Sequence, residues 1–256
     1  MEVHAHTHTA RKKWTHFFWE FLMLFLAVFC GFLAEYQLEH KIERDRERQY
    51  VKALLSDLKS DTTQLSRLIN FRVGKMKTLD TIMYLLKTGA WKNNTASLYY
   101  HSFFAPFGNK FLPNNGVLTQ LKNAGGLRLL RNSKVTDSLL YFDIQTQWVT
   151  DFETWERERF IDQSPWEKVL DASVFESHLE YKYPSEIFIL NRITGNPTLL
   201  SEKKEDLDQF YNRIQAQKRI NAVVIHRFFV LKAQTTELII LIRNEYNLSE
   251  KTPLEK

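Results

Sequence analysis

Residues 17–36 read FFWEFLMLFLAVFCGFLAEY, and this stretch decides how the rest of the chain is interpreted. Between positions 17 and 34, Glu20 is the only charged residue. About 20 mostly apolar residues suffice for a helix to cross a hydrocarbon core of about 30 Å. Aromatic side chains that favour the membrane–water interface lie near both ends of the stretch: Trp14, Trp19 and Tyr36. The stretch therefore predicts a transmembrane helix over residues 17–36.

A cleaved signal peptide is the main alternative for this stretch. A cleavage site has small residues at its last and third-last positions. If Ala34 were the last residue, bulky Phe32 would be the third-last, and a lipoprotein site at Cys30 would follow the equally bulky Phe29. The sequence therefore favours an uncleaved membrane anchor.

The charges that flank the stretch predict its orientation. Arg11, Lys12 and Lys13 lie within a few residues of its N-terminal end, whereas the bases on the C-terminal side begin at Lys41 and alternate with acids. Because the cytoplasmic flanks of spans are enriched in Lys and Arg, residues 1–16 are predicted to be a cytoplasmic His-containing, basic tail. The main domain is then predicted to lie outside the cytoplasm.

The composition limits the remaining classes of function. The chain has 256 residues and a mean hydropathy of -0.36, which excludes a protein with several spans. Its net charge of +5 comes from 35 basic and 30 acidic residues with no basic block, so no nucleic-acid partner is predicted. Cys30 is the only cysteine, which excludes an intramolecular disulfide and a cysteine metal site.

An apolar seven-residue pattern follows the predicted span. Apolar residues recur along it at alternating steps of four and three: Val51, Leu55, Leu58, Leu65, Ile69, Met76, Leu79, Met83 and Leu86. Thr62 and Arg72 are the two polar exceptions, and no proline interrupts the pattern. Such a pattern is typical of a bundle or coiled-coil helix. Residues 37–88 are therefore predicted to be a long juxtamembrane helix that continues the span, with Gly74 as its expected bend.

Turn residues divide the next part of the chain. Residues 89–115, rich in Asn, Gly and Pro, are predicted to be a loop. Residues 116–163 are predicted to be a helical segment that is interrupted at Gly125-Gly126. Residues 164–202 are predicted to be an irregular connection that contains a short strand at 186–190.

A long C-terminal helix is predicted over residues 203–246, before a tail at 247–256. One face of this helix forms a second regular seam: Leu207, Phe210, Ile214, Gln217, Asn221, Val224, Phe228, Leu231, Thr235, Leu238 and Ile242. The predicted fold class is all-α, with one N-terminal transmembrane helix that continues into an elongated antiparallel helical bundle or coiled-coil domain. Seams this regular pair within one chain or between chains. The predicted partners are therefore the lipid bilayer and either a protein partner or a second copy bound through the helix seams.

Three segments of the chain carry a family resemblance: GFLAE at 31–35, YVKALLSDL at 50–58 and LKNAGGLRLLRN at 121–132. Together with the basic tail and the charged continuation of the span, they resemble an uncharacterised family of single-span bacterial membrane proteins. The likeness covers most of the chain up to about residue 142. It implies the inner membrane of a Gram-negative bacterium. Together with the orientation predicted from the flanking charges, this places the main domain in the periplasm as an expectation. It implies no activity, so no functional residues are carried over from the family.

Histidines alternate in the N-terminal tail at His4, His6 and His8. Imidazoles bind zinc, copper and nickel, and alternate side chains of an extended chain share one side. Ordering a flexible tail costs conformational entropy, however, so any such site would be weak. No functional metal site and no cofactor are therefore predicted.

Four residues are the predicted contacts of the span: Glu20, Ala27, Gly31 and Ala34. The three small residues lie on nearly one face of a helix, where small side chains let a second helix approach closely. Glu20 is interpreted as an interfacial carboxylate one turn inside the boundary. The alternative is a functional intramembrane carboxylate, since such groups often mark ion or proton pathways.

No catalytic residues are predicted. The sequence contains no nucleophile elbow, zinc-protease helix, dinucleotide-binding loop or kinase signature. Two carboxylate pairs at helical spacing, Asp57 with Asp61 and Glu153 with Glu156, are interpreted as solvated helix faces. An aromatic cluster is interpreted as core: Trp148, Phe152, Trp155, Phe160 and Trp166.

These observations lead to two hypotheses about function. The first is a non-enzymatic, membrane-anchored extracytoplasmic helical module that senses, scaffolds or binds a partner. The second is a stator-like or transport-accessory subunit in which Glu20 titrates.

Overall fold

The computed structural model describes residues 14–123, 125–160, 166–182 and 187–248. The chain divides into two compact units, Met1–Val51 and Lys52–Lys256. Within the described residues there are six α-helices and one two-stranded sheet. The predicted all-α class is therefore confirmed.

The first helix, α1 (Trp14–Thr88), contains the whole predicted span and the whole predicted juxtamembrane helix. It forms without interruption because no proline breaks it, and it does not end at Gly74, the expected bend. Its apolar window in the first unit is long enough to cross a membrane, and none of that window is buried. In length and composition, α1 is the one membrane-span candidate in the described part of the chain.

In the second unit, α1 contributes one side of the core. Its buried apolar residues include most of the predicted seam as far as position 69: Leu54, Leu55, Leu58, Leu65, Leu68 and Ile69. Beyond that point Leu79 is buried as predicted, but the other buried positions lie one residue before the predicted ones: Lys75, Ile82 and Leu85 are buried, while Met76, Met83 and Leu86 are only half-buried. Arg72, an exception to the apolar pattern, lies within the core just before this change.

The prediction of a loop at residues 89–115 is wrong for its middle part. After a short 3-10 turn at Ala90–Asn93, helix α2 spans Thr95–Phe104. Asn94 caps it by accepting a hydrogen bond from the Ser97 backbone N–H. The helix forms because the breaking residues Pro106 and Gly108 lie just beyond its end.

The predicted helical segment 116–163 consists of α3 (Gly116–Asn123) and α4 (Ser133–Phe160). As predicted, glycine interrupts it, since Gly125 adopts a φ of 64°, which favours a residue without a side chain. Asn132 caps α4 by accepting a hydrogen bond from the Val135 N–H.

The predicted irregular connection 164–202 contains a one-turn helix and a hairpin. Helix α5 spans Ala172–Glu176, and strand β1 (Leu179–Lys182) pairs antiparallel with β2 (Ile187–Leu190). The strand expected at 186–190 is thus present as β2, whereas its partner β1 was not predicted.

The last helix, α6 (Lys204–Glu245), matches the predicted C-terminal helix within one residue at each end. All but one of its eleven predicted seam residues are buried, including the polar Gln217, Asn221 and Thr235. Both seams are therefore filled by contacts within the chain. Residues 249–256 of the predicted tail lie outside the described residues.

The directions of the long helices follow from their contacts. Helix α6 runs antiparallel to α4, since Asn132 before α4 bonds Glu245 at the end of α6. Helix α6 is also antiparallel to α1, in which Arg72 meets Asn221 and Asp80 meets Lys218. Helix α4 runs parallel to α1, whereas the sequence predicted an antiparallel bundle.

The parallel arrangement arises because residues 107–117 return alongside α1 before α4 begins. Gln64 exchanges two hydrogen bonds with the Leu112 backbone, at 2.7 and 3.1 Å. Further along, Asp61 accepts hydrogen bonds from the Asn114 backbone and side chain, at 3.0 and 2.7 Å. This return segment also closes over the polar group described next.

Candidate functional site

The structure buries one of the carboxylate pairs that the sequence placed on a solvated helix face. Glu153 and Glu156 are each only 4% exposed, so the interpretation of a solvated face is wrong for this pair. Asp61 is also buried, whereas Asp57 is half-buried. The carboxylates of Glu153 and Glu156 are buried in the core because cations from α1 lie opposite them.

Arg72 is the centre of this polar group and is 3% exposed. One terminal nitrogen, Nη1, donates to Glu156 Oε1 at 2.7 Å and to Asn221 Oδ1 at 3.3 Å. The other, Nη2, lies 3.6 Å from Glu153 Oε1, an ion pair that is too long for a hydrogen bond. Asn221 also donates to the Arg72 carbonyl at 2.9 Å. We call the whole group the Arg72 cluster: Arg72, Lys75, Glu153, Glu156, Gln217 and Asn221.

Three side chains of the Arg72 cluster hydrogen-bond to the backbone of the return segment or of Ala105 just before it. Lys75 Nζ donates to the Phe107 carbonyl at 3.0 Å, and Gln217 Nε2 donates to the Ala105 carbonyl at 2.8 Å. Glu153 Oε2 accepts from the Phe111 N–H at 3.1 Å. The cluster thus links α1, α4 and α6 to one loop.

Burial shifts the pKa values of two members of the cluster. Loss of water raises the pKa of Glu153 to about 7, although the Phe111 N–H and the Arg72 charge both favour its ionised form. Burial likewise lowers the pKa of Lys75 to about 8, and the neighbouring Arg72 charge adds to the effect, while Glu156 opposes it. Both groups therefore change charge close to neutral pH.

A cleft of about 250 Å³ opens beside the Arg72 cluster. Its lining includes buried Arg72, Glu153 and Gln217 together with exposed Lys110 and Arg157. Three buried polar atoms of these residues have no hydrogen-bond partner in the described structure: Arg72 Nε, Glu153 Oε1 and Gln217 Oε1. Buried polar atoms are normally paired, so this cleft is the candidate ligand site.

A second feature is an exposed stripe on α4. Its members lie at steps of three, four and seven along one helix face, and we call them the α4 stripe: Tyr141, Ile144, Trp148 and Trp155. Trp148 is 52% exposed and Trp155 is 42% exposed, so the prediction that the aromatic cluster is core is wrong for both. The side chain of Phe160, from the same predicted cluster, lies outside the described residues.

The α4 stripe continues onto α6. The Arg227 guanidinium stacks over Trp148 at 3.0 Å from the ring centroid and lies 4.1 Å from that of Phe152. Val223 and Val230, one turn to each side of Arg227, are also exposed. The two helices therefore present one largely apolar surface with a stacked cation at its centre.

The residues that the sequence assigned to the span and tail are placed as follows. Glu20 Oε1 lies 3.4 Å from His16 Nδ1 on the preceding turn of α1, with both side chains about half exposed. The small residues are exposed on α1: Ala27, Gly31 and Ala34. Their contact with a second helix stays a prediction. His4, His6 and His8 lie outside the described residues.

The described residues contain no group of three or more His, Cys, Asp or Glu side chains arranged to hold a metal ion. The Arg72 cluster was missed because each of its members was read on its own helix. The sequence did contain a signal for this cluster. Arg72 interrupts the apolar seam of the first long helix, and Gln217 and Asn221 interrupt that of the last. Polar residues in two apolar seams indicate a shared buried polar layer.

Neither the family models nor the curated proteins and solved structures include one that matches this chain.

Proposed function

We propose that this protein is a single-pass protein of a Gram-negative inner membrane, with its N-terminus in the cytoplasm and its second unit in the periplasm. Its role in this proposal is non-enzymatic: the second unit binds an amphipathic helix of another protein. The apolar window of α1 supports the anchor. The basic residues Arg11, Lys12 and Lys13 support the orientation.

The α4 stripe is the observation that carries the partner-binding role. Heptad-like spacing of exposed apolar side chains is typical of a surface that packs against a second helix. Tryptophan is enriched among the residues that dominate binding energy. An aromatic side chain buries about 150–250 Å², so covering the exposed half of one tryptophan would contribute about 2–3 kcal/mol.

An exposed charge on the same face as the α4 stripe favours a different protein, rather than a second copy of this chain, as the binding partner. Asp151 is exposed and lies three residues after Trp148 and seven after Ile144, so it belongs to the same face. Two copies whose α4 helices packed in parallel through this face would place equivalent residues opposite each other. Asp151 would then face Asp151 of the copy, and like charges repel. A partner helix with a basic residue at this position avoids that repulsion.

The alternative, a stator-like or transport-accessory subunit, depends on Glu20 acting inside the membrane. The proximity of His16 gives Glu20 a polar partner on the preceding turn of α1. That arrangement supports the interfacial interpretation of Glu20, so the partner-binding role is the better supported proposal.

Photo-crosslinking in intact cells tests the partner-binding role. With p-benzoylphenylalanine in place of Trp148, irradiation should give one discrete adduct heavier than the 30.4 kDa chain. Because the partner helix covers the stripe, Ile144→Glu on the same chain should remove the adduct. Mass spectrometry of the adduct should identify the partner and the crosslinked helix.

The matched control places the same crosslinker at Tyr84, an aromatic residue of α1 that is 62% exposed but lies outside the stripe. It should give no such adduct. The role is contradicted if position 148 gives none, or if both positions give the same products. An adduct of twice the chain's mass would contradict a different protein as the occupant and assign the stripe to self-association.

A further inference from the structure

The buried residues that line the cleft beside the Arg72 cluster include two, Glu153 and Gln217, with an acceptor atom that makes no hydrogen bond within the described part of the chain. Glu153 Oε1 and Gln217 Oε1 both lack a hydrogen-bond partner in the described structure, and both residues are almost fully buried. Their other side-chain atoms are engaged, Glu153 Oε2 by the Phe111 N–H and Gln217 Nε2 by the Ala105 carbonyl. Each side chain is therefore fixed: among the described residues, Gln217 Oε1 keeps its acceptor capacity unused, and Glu153 Oε1 has only the 3.6 Å ion pair with Arg72 Nη2.

The outer end of the same cleft carries cations. Lys110 and Arg157 line it and are exposed. Lys110 Nζ lies 3.2 Å from the Thr154 hydroxyl, which draws the ammonium group toward α4. Arginine in particular binds carboxylates through two parallel hydrogen bonds. The buried lining of the cleft thus combines the acceptors of Glu153, Glu156 and Gln217 with the cations Arg72 and Lys75, whereas its exposed side carries further cations.

The buried charges of the cluster restrict the net charge of a ligand. When all four groups are ionised, the charges of Arg72 and Lys75 are balanced by those of Glu153 and Glu156. A ligand with a net charge would leave one buried charge uncompensated, which is strongly unfavourable. A ligand that carries one cation and one anion adds no net charge and can pair with both the acceptors and the cations of the cleft.

We propose that this cleft binds a small zwitterion of the α-amino acid class, with its ammonium group inward and its carboxylate at the mouth. The ammonium donates to Glu153 Oε1 and Gln217 Oε1, and the carboxylate accepts from Arg157 and Lys110. Arg72 Nε, the third unpaired atom, supplies an additional donor at the cleft wall. This site is separate from the α4 stripe and does not depend on the partner-binding role.

The size of the cleft agrees with this class of ligand. One water molecule takes about 30 Å³ of liquid volume, so 250 Å³ corresponds to roughly eight waters. Drug-sized ligands occupy pockets of about 300–1,000 Å³. The cleft is therefore suited to an amino acid with a short or medium side chain.

Isothermal titration of the full chain in detergent tests this proposal. Each proteinogenic L-amino acid is titrated separately, with sodium acetate and methylammonium chloride as ligands that carry only one of the two charges. At least one amino acid should bind saturably, and each half-ligand should bind about tenfold more weakly or worse, since one charge-assisted contact is lost.

Two variants test whether the amino acid binds in this cleft. Arg157→Gln changes an exposed side chain and should weaken amino-acid binding about tenfold without changing the response to methylammonium. Gln217→Leu should weaken both amino-acid and methylammonium binding. Gln209→Leu, an exposed glutamine of the same helix, is the matched control and should change neither.

Three results would overturn the proposal. The first is that no amino acid binds. The second is that acetate or methylammonium binds as tightly as the amino acid. The third is that Arg157→Gln leaves amino-acid affinity unchanged, a result that loss of folding cannot explain because this side chain is exposed.

Discussion

Replacing Arg72 with methionine is expected to lower the free energy of unfolding of the second unit by about 3–5 kcal/mol. The Arg72 guanidinium forms ion pairs with Glu156 at 2.7 Å and with Glu153 at 3.6 Å. Its removal leaves two carboxylates in the core with Lys75 as the one buried cation beside them among the described residues. Breaking one side of a buried ion pair is costly because the remaining charge is uncompensated, whereas the intact pair contributes little net stability.

Chemical denaturation of the full chain in detergent, followed by circular dichroism, measures this loss. Arg67→Met is the matched control, since Arg67 lies on the same helix but is exposed, and it should change stability by less than about 0.5 kcal/mol. Adding Glu153→Gln and Glu156→Gln to Arg72→Met should recover much of the loss. Equal stability of Arg72→Met and Arg67→Met would contradict the assignment of Arg72 as the centre of the buried cluster.

The second unit is expected to lose stability as the pH rises from about 5 to about 7, and Glu153→Gln should remove most of that loss. Burial raises the pKa of Glu153 from 4.5 to about 7 in the folded protein. Between these values the folded state binds more protons than the unfolded state. Stability therefore falls as pH increases through this range, by an amount on the order of 3 kcal/mol.

At higher pH, the titration of Lys75 makes the stability of the second unit change with pH in the opposite direction. Burial lowers its pKa from 10.5 to about 8, so between these values the unfolded state binds more protons. Stability then rises with pH, and the wild-type protein should have a minimum between about pH 7 and 8. The buried carboxylate of Asp61 also has a raised pKa and accounts for part of the slope that the variant retains.

Denaturation midpoints at several pH values test this expectation. Glu158→Gln, on the exposed side of α4, is the control and should keep the wild-type slope. If Glu153→Gln also keeps the wild-type slope between pH 5 and 7, Glu153 is not the titrating group, and its burial against Arg72 would be contradicted.

Sequence periodicity was sufficient to predict the long helices. The seam of α6 was predicted together with its polar members Gln217 and Asn221, because a strict repeat determines which residues share a face. The seam of α1 was correct up to Ile69. Beyond it, Lys75, Ile82 and Leu85 are buried in place of the predicted Met76, Met83 and Leu86. A pattern of apolar residues alone does not predict the burial of a lysine.

Contacts between distant segments were not accessible from the sequence. The burial of Glu153 depends on Arg72, 81 positions earlier, and on the Phe111 backbone N–H. Helix α2 was obscured by the turn residues around it, although Asn94 supplied a capping signal. Trp148 and Trp155 were assigned to the core because large aromatic residues are usually buried, and only the structure shows their exposure.

Membrane anchoring by residues 17–36 is the central claim, and alkaline carbonate extraction of membranes followed by intact-mass measurement tests it most directly. The account predicts that the protein stays in the membrane pellet with its N-terminal residues intact. Recovery in the soluble fraction, with a new N-terminus near residue 34, would contradict it.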